Sequence, residues 1–189
     1  LEKNKKINII SQKTAEKKTI IDRHIIDCAQ VIDFIDLNCN TTTDLGSGGG
    51  MPGIIIAILL KNLKKDIKIC LYEKSYHKSH FLKEVSKKLK LKTEIFQKNI
   101  FETKKLKTGT IMSRAFKPMP VVLDLVNENF SSYKNLIFFM GKNGREVFKN
   151  SLEDWDLDYT EKKSLTNEDS FLLNIKKMKK KNKKNIKKN

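Results

Sequence analysis

The sequence predicts an α/β fold, a mostly parallel sheet with helices on both faces and an antiparallel edge. Three observations lead there. A β-branched run, Thr41–Thr43, ends in Asp44 and passes through glycines at Gly46, Gly48, Gly50 and Gly53 into an apolar, helix-like stretch. Short β-rich runs then alternate with segments of helical period, the pattern of strands wound in parallel with crossover helices. The last two β-rich runs follow one another without a helix between them and are expected to add an antiparallel edge.

The elements follow in order. Thr19–Phe34 spaces Ile21, Ile25, Ala29 and Ile32 at helical intervals and reads as an amphipathic helix. Thr41–Leu45 is the first strand. Pro52–Asn62 is its helix, with Pro52 in the first turn, where a missing N–H costs nothing. Ile67–Tyr72 is the second strand, closed by Glu73. Lys74–Leu89 is a helix burying Phe81, Leu82 and Val85. Thr93–Phe96 and Thr110–Ser113 are the third and fourth strands. A turn at Pro118 leads to a helix through Asn127. Leu136–Met140 is the fifth strand and Glu146–Leu152 a helix. Trp155–Thr160 and Ser170–Ile175 form the closing pair. Three regions are expected: a helical segment 1–40 whose true start lies upstream of Leu1, a ligand-binding domain 41–175, and a lysine-rich tail 176–189 with too little apolar content to fold alone.

Composition narrows the function. A chain of 189 residues with 39% hydrophobic content suffices for one domain with a core. The longest apolar run, Ile54–Leu60, is too short to span a membrane. Cys28, Cys39 and Cys70 form no C-x-x-C pair and read as reduced thiols of a cytoplasmic protein. The net charge is +17; the tail contributes nine lysines and no acid, leaving +8 on the rest. Such a balance favours a polyanionic partner, RNA or DNA.

The glycine run carries the chemistry. At the carboxyl end of a strand it builds a nucleotide crevice, because backbone must approach the ligand where a Cβ would intrude. Gly48, Gly50 and Gly53 satisfy the dinucleotide spacing G-x-G-x-x-G. Asp44 through Gly50 satisfies D-x-G-x-G-x-G, the first motif of S-adenosyl-L-methionine (AdoMet) enzymes. A carboxylate at Asp44 disfavours a pyrophosphate and suits the cationic groups of AdoMet. Glu73, at the next strand end, is placed to accept hydrogen bonds from ribose hydroxyls in either case. Asn99–Phe101, after the third strand, offers an apolar wall for adenine. Arg114 ends the fourth strand, where a planar guanidinium suits a carboxylate or phosphate. It is one of three arginines, with Arg23 and Arg145. Arg23 and Asp27 are four apart and suited to pair, with His24 beside them. His77 and His80 lack a third metal ligand, and no metal is expected.

Arg23–Cys28 (RHIIDC), Asp44–Gly53 (DLGSGGGMPG) and Ser113–Phe116 (SRAF) occur in the order seen in the bacterial 16S rRNA guanine-N7 methyltransferases, the RsmG (GidB) family, which the chain resembles up to Ile175. Asn4–Ser11 is similar to the family segment before the glycine motif. The resemblance implies a class I AdoMet-dependent methyltransferase of Rossmann-like fold that modifies a guanine in the decoding-region loop. It implies contacts to AdoMet by Gly46 and Met51, an adenine side lined by Ile100 and Phe101, and Arg114 reaching the cofactor or the RNA. With Asp44, Gly48, Gly50 and Glu73 of the motif reading, these make the expected cofactor site. Arg23, His24 and Arg114 are the candidate substrate contacts, and no catalytic acid–base residue is expected. Its implied partner is 16S rRNA or the small-subunit particle, met by a monomer. The chain departs from the family at Asn99 and Phe101, where an arginine and a glutamate are usual, at Cys28 in place of serine, and in its lysine tail. A nicotinamide-dependent oxidoreductase and a non-catalytic RNA-binding protein remain the competing readings.

Overall fold

The computed structural model describes residues 21–182. Asn4–Ser11, the start of the helix expected at Thr19, and the tail beyond residue 182 lie outside the described residues. The leading segment is helical but irregular: π-helical over Ile21–Ile26, α-helical over Asp27–Ala29, and 3-10 over Gln30–Phe34. Its buried face also differs from the one expected. Ile21 and Ile25 are exposed, whereas Cys28, Val31 and Ile35 are buried. The widened first turn rotates the later residues away from the 3.6-residue register on which the expectation rested.

Strand β1 (Thr41–Leu45) leads to α1 (Gly53–Asn62), β2 (Lys68–Tyr72), α2 (Tyr76–Leu89) and β3 (Thr93–Phe96). A 3-10 turn at Ile100–Glu102 follows, started by Asn99, whose Oδ1 accepts the Phe101 N–H at 3.3 Å. Then come β4 (Leu106–Lys107), β5 (Thr110–Ser113), α3 (Met119–Asn129), β6 (Phe130–Ser132), β7 (Asn135–Met140), α4 (Gly144–Asp154), β8 (Trp155–Lys163) and β9 (Phe171–Lys180). The main sheet has the order β3-β2-β1-β5-β7-β9-β8. All pairings from β3 to β7 are parallel, and β9 runs antiparallel to both β7 and β8. This is the doubly wound sheet with an antiparallel addition that the alternation predicted. The small parallel pair β4–β6 was not foreseen, being two and three residues long.

One core lies between the sheet and α3 and α4, around Ile111, Leu123, Val126 and Leu136; the other lies beneath α1, α2 and the leading segment, around Ile56, Ile69, Leu71 and Leu82. Strand alternation divides the two, so neighbours such as Ile111 and Met112 serve opposite faces. Burying such branched side chains fully contributes about 1.5–3 kcal/mol each.

One boundary needs correction. Lys176–Lys180, expected in an unfolded tail, belong to β9, and Lys177–Lys180 pair with Trp155–Asp158 of β8. Trp155 is buried, and Lys180 Nζ sits 5.5 Å from its ring and 2.6 Å from Asp124 Oδ1. A partner strand with a buried aromatic orders a segment that its own composition would leave unfolded.

Candidate active site at the carboxyl edge of the sheet

The carboxyl ends of β1, β2 and β5 open onto a cavity of about 530 Å³. Ladder geometry places it there: β1 lies between β2 and β5, both parallel to it, and all three strands end on the same edge.

The glycine loop forms one wall. Gly46 and Gly48 have φ of +65° and +52°, a left-handed backbone that L side chains rarely adopt. A Cβ on Gly46 would strike the Phe116 ring, whereas at Gly48 it would meet only Gly46 O at 3.8 Å. The loop is therefore packed behind Gly46 and bare at Gly48. Its turn closes through Gly50 N–H to Ser47 O at 2.7 Å, and Ser47 N–H reaches Tyr72 O at 2.9 Å, tying the loop to β2.

Glu73 faces this loop from β2. One oxygen accepts the Gly48 N–H at 2.9 Å and the other the Ser75 N–H at 2.7 Å. The carboxylate is only 8% exposed yet lines the cavity. Each oxygen retains a further acceptor direction for a ligand hydroxyl.

Asp44 has a different role from the one expected. Its side chain is buried behind the loop and does not line the cavity. Oδ2 accepts the Gly53 N–H at 3.0 Å, anchoring the first residue of α1, where the helix dipole favours a carboxylate. Helix α1 starts at Gly53, so Pro52 precedes it rather than sitting in its first turn. Burial pushes the Asp44 carboxyl up to about 7, opposed by the Gly53 N–H, the Ser47 hydroxyl and the Arg114 charge. Gly50 is likewise behind the wall, packed against Ile54 and Leu82.

Of the other expected residues, Gly46, Gly48, Met51, Glu73, Ile100, Arg114 and His24 line the cavity. Phe101 does not; its ring packs 6.1 Å from that of Phe116, which does. The Arg23 side chain lies outside the described residues. Asp27, expected within reach of Arg23, meets Arg114, with Nη2 3.5 Å from Oδ2. Both terminal guanidinium nitrogens of Arg114 stand 3.4 Å from His24 Nδ1, and its Cζ lies 5.5 Å from the Phe139 ring centre. Arg114 thus joins the end of β5 to the leading segment while facing the cavity.

Sequence reasoning missed Tyr72 and the lysines of the rim. Tyr72 stacks on Phe96 at 4.7 Å, and burial pushes its hydroxyl up to about 12. Lys74, Lys78, Lys98 and Lys117 surround the mouth. Lys74 and Lys98 directly adjoin Glu73 and Asn99, so nearness to the motif residues was the available signal. His77 and His80 are exposed, as expected, and His80 stands 3.8 Å from Glu84. Among the described residues no group of His, Cys, Asp and Glu is arranged to hold a metal. The mouth is therefore cationic, and the interior offers one carboxylate and a run of bare backbone.

The bare loop and the acid fit a nucleoside-bearing ligand, and comparison with known proteins agrees with this layout. A structure titled a SAM-dependent methyltransferase from Aquifex aeolicus superposes with a TM-score of 0.62 at 12% identity, covering 86% of this chain and 95% of that one. TrmK of M. capricolum, solved with S-adenosyl-homocysteine, gives 0.58 at 12% identity, over 89% and 69% of the two chains. These establish the class I methyltransferase fold. Ribosomal RNA small subunit methyltransferase G of Pelagibacter ubique is 64% identical over 181 residues, 96% of this chain and 85% of its own. The Paracoccus denitrificans protein of the same name is 28% identical over 91% of this chain and 86% of its own. The family model described as rRNA small subunit methyltransferase G (GidB) matches residues 1–175. With its glycine loop, Glu73 and the Ser113–Phe116 turn assembled at one sheet edge, this chain belongs to the rRNA small subunit methyltransferase G family.

Proposed function

We propose that the protein transfers a methyl group from AdoMet to N7 of a guanine in the decoding-region loop of 16S rRNA, acting as a cytoplasmic monomer on the RNA or the small-subunit particle. The observation that carries this reading is the bare Gly48 backbone beside Glu73, inside a lysine-rimmed cavity, in a chain of this family. The residues fit the cofactor. Glu73 would accept ribose hydroxyls with oxygens already oriented by Gly48 and Ser75. The Gly46–Gly48 backbone and Met51 would line the amino-acid side, and Ile100 would cover an apolar ring. When bound, AdoMet supplies a methyl group on a cationic sulfonium.

The protein's own share of the chemistry is positional. Guanine N7 has a lone pair and no proton, so no base is required of the chain. Holding donor and acceptor in near-attack geometry supplies the rate. The lysine rim meets RNA phosphates as point charges. Whether Arg114 meets the cofactor or the RNA is read from the AdoMet and RNA affinities of Arg114→Lys.

The test pairs calorimetric titrations of AdoMet and NAD with mass-spectrometric detection of 7-methylguanosine in small-subunit rRNA incubated with enzyme and AdoMet. AdoMet binding with new 7-methylguanosine is expected. Binding of NAD in its place would support the oxidoreductase reading, and RNA binding without methyl transfer the non-catalytic one.

A further inference from the structure

A second cleft, of about 310 Å³, lies across the Arg114–Ala115 turn from the cofactor cavity. Its walls include Asp27, Arg114, Phe139, Ser164 and Asn167. Arg114 and Ala115 line both spaces, whereas Asp27 lines only the second. The order along the wall is thus cofactor cavity, Arg114, Asp27.

The two charged groups form a fixed donor–acceptor pair. Asp27 Oδ2 faces Arg114 Nη2 at 3.5 Å, and both side chains are about one-fifth exposed. Asp27 Oδ1 accepts Gln30 Nε2 at 2.8 Å and the Ser164 hydroxyl at 3.3 Å, which holds the carboxylate in place. A carboxylate has about four acceptor sites, and these contacts engage three. Phe139 lies under the guanidinium and supplies an aromatic face to the cleft.

Round the edge of guanine the groups run N7, O6, N1–H and the 2-amino group: two acceptors, then two donors. We propose that the Arg114–Asp27 pair reads this edge, resting on the guanine-N7 assignment above. Arg114 donates to O6, and Asp27 accepts from N1–H at its open site and from the 2-amino group in place of the Ser164 hydroxyl, which turns to Thr166 Oγ1, 3.1 Å away. The base lies in the second cleft with Phe139, and N7 is left toward the turn that borders the cofactor cavity. The order of groups on the wall matches their order on the base. Adenine inverts the pattern: its 6-amino group would meet the guanidinium and its N1 lone pair the carboxylate. Asp27 is accordingly a specificity-determining residue, not a general base.

The experiment uses synthetic decoding-region RNAs carrying guanosine, inosine or 1-methylguanosine at the position where the parent enzyme forms 7-methylguanosine. Initial rates with AdoMet, and dissociation constants without it, are measured for the parent and Asp27→Asn. For the parent, inosine should lower kcat/KM about tenfold and 1-methylguanosine about a hundredfold, as expected for losing one or more hydrogen bonds to a charged group. In Asp27→Asn the guanosine-to-inosine ratio should fall toward one, with AdoMet affinity retained, since Asp27 does not line the cofactor cavity. Equal rates on all three RNAs in the parent would overturn the proposal without reference to any variant. So would an Asp27→Asn enzyme that slows guanosine and inosine RNAs by one common factor, the mark of a purely structural role. A parent that binds these RNAs but forms no 7-methylguanosine on any small-subunit rRNA would overturn the underlying assignment, and this proposal with it.

Discussion

At the residue scale, the two acids of the site divide the work. Glu73 touches both loop backbone and cavity, whereas Asp44 holds the loop from behind. Glu73→Ala should weaken AdoMet binding at least tenfold, since a charged hydrogen-bond partner is lost, while Glu73→Gln should lose less. Calorimetric affinity reads this directly; parent-like binding by Glu73→Ala would remove the residue from the site. Asp44 makes a different prediction. Its folded carboxyl, near 7, stands above the unfolded value near 3.8. The folded state therefore binds more protons between those values, and stability contributed by the neutral carboxyl is lost as pH rises through about 7. Asp44→Asn should abolish this component. Thermal unfolding of parent and variant from pH 4 to pH 8 should show the parent declining relative to the variant; parallel curves would count against the shift. Arg114 binds Asp27 and His24 as well as facing the cavity, so Arg114→Lys, which keeps charge but not the planar fork, separates the roles better than Arg114→Ala.

At the element scale, the antiparallel pair β8–β9 sets the geometry of the basic terminus. Phe171, at the start of β9, pairs with Met140 at the site edge, whereas Lys180 pairs with Trp155 at the start of β8. Strand β9 therefore carries the chain away from the cofactor cavity, and Lys177, Lys179 and Lys180 of its later half lie toward the opposite edge of the sheet. Two truncations should behave differently. Deleting residues 176–189 removes the partner of Trp155–Asp158 and should lower the unfolding temperature. Deleting residues 183–189 removes four lysines and should leave stability near the parent's. The slope of log affinity for RNA against log salt should then be smaller by up to about 3, at roughly 0.7 per phosphate contact on single strands. An unchanged slope would mean that those lysines meet no phosphate.

At the scale of the whole molecule, a net charge of +17 both attracts RNA and strains the folded state by self-repulsion. Added salt should raise the unfolding temperature of the free protein between about 20 and 500 mM, as the Debye length shrinks from tens to a few ångströms, while weakening RNA binding over the same range. Opposite responses from one variable are the signature of a charge excess kept for a partner. Differential scanning calorimetry and RNA titrations in matched buffers measure both; a falling unfolding temperature would show that the surface ion pairs, among them Lys68–Glu94 and Lys180–Asp124, outweigh the repulsion.

The sequence by itself determined what depends on local pattern. The order of strands and helices, the glycine loop, Glu73 at the second strand end and Arg114 at the fourth follow from period, turn chemistry and strand-end position, which neighbours in the chain dictate. Family membership was legible in the three motifs for the same reason. Tertiary structure decided what depends on groups distant in sequence. Only packing shows that Asp44 points inward to Gly53, nine residues on, and that Phe116 rather than Phe101 forms the wall. Asp27 meets Arg114, 87 residues away, because the sheet edge and the leading segment come together there. The ordering of Lys176–Lys180 likewise came from a partner strand and a buried tryptophan. A side chain's spacing along the chain sets which elements form; which of its possible partners it meets is set by the surfaces those elements bury against one another.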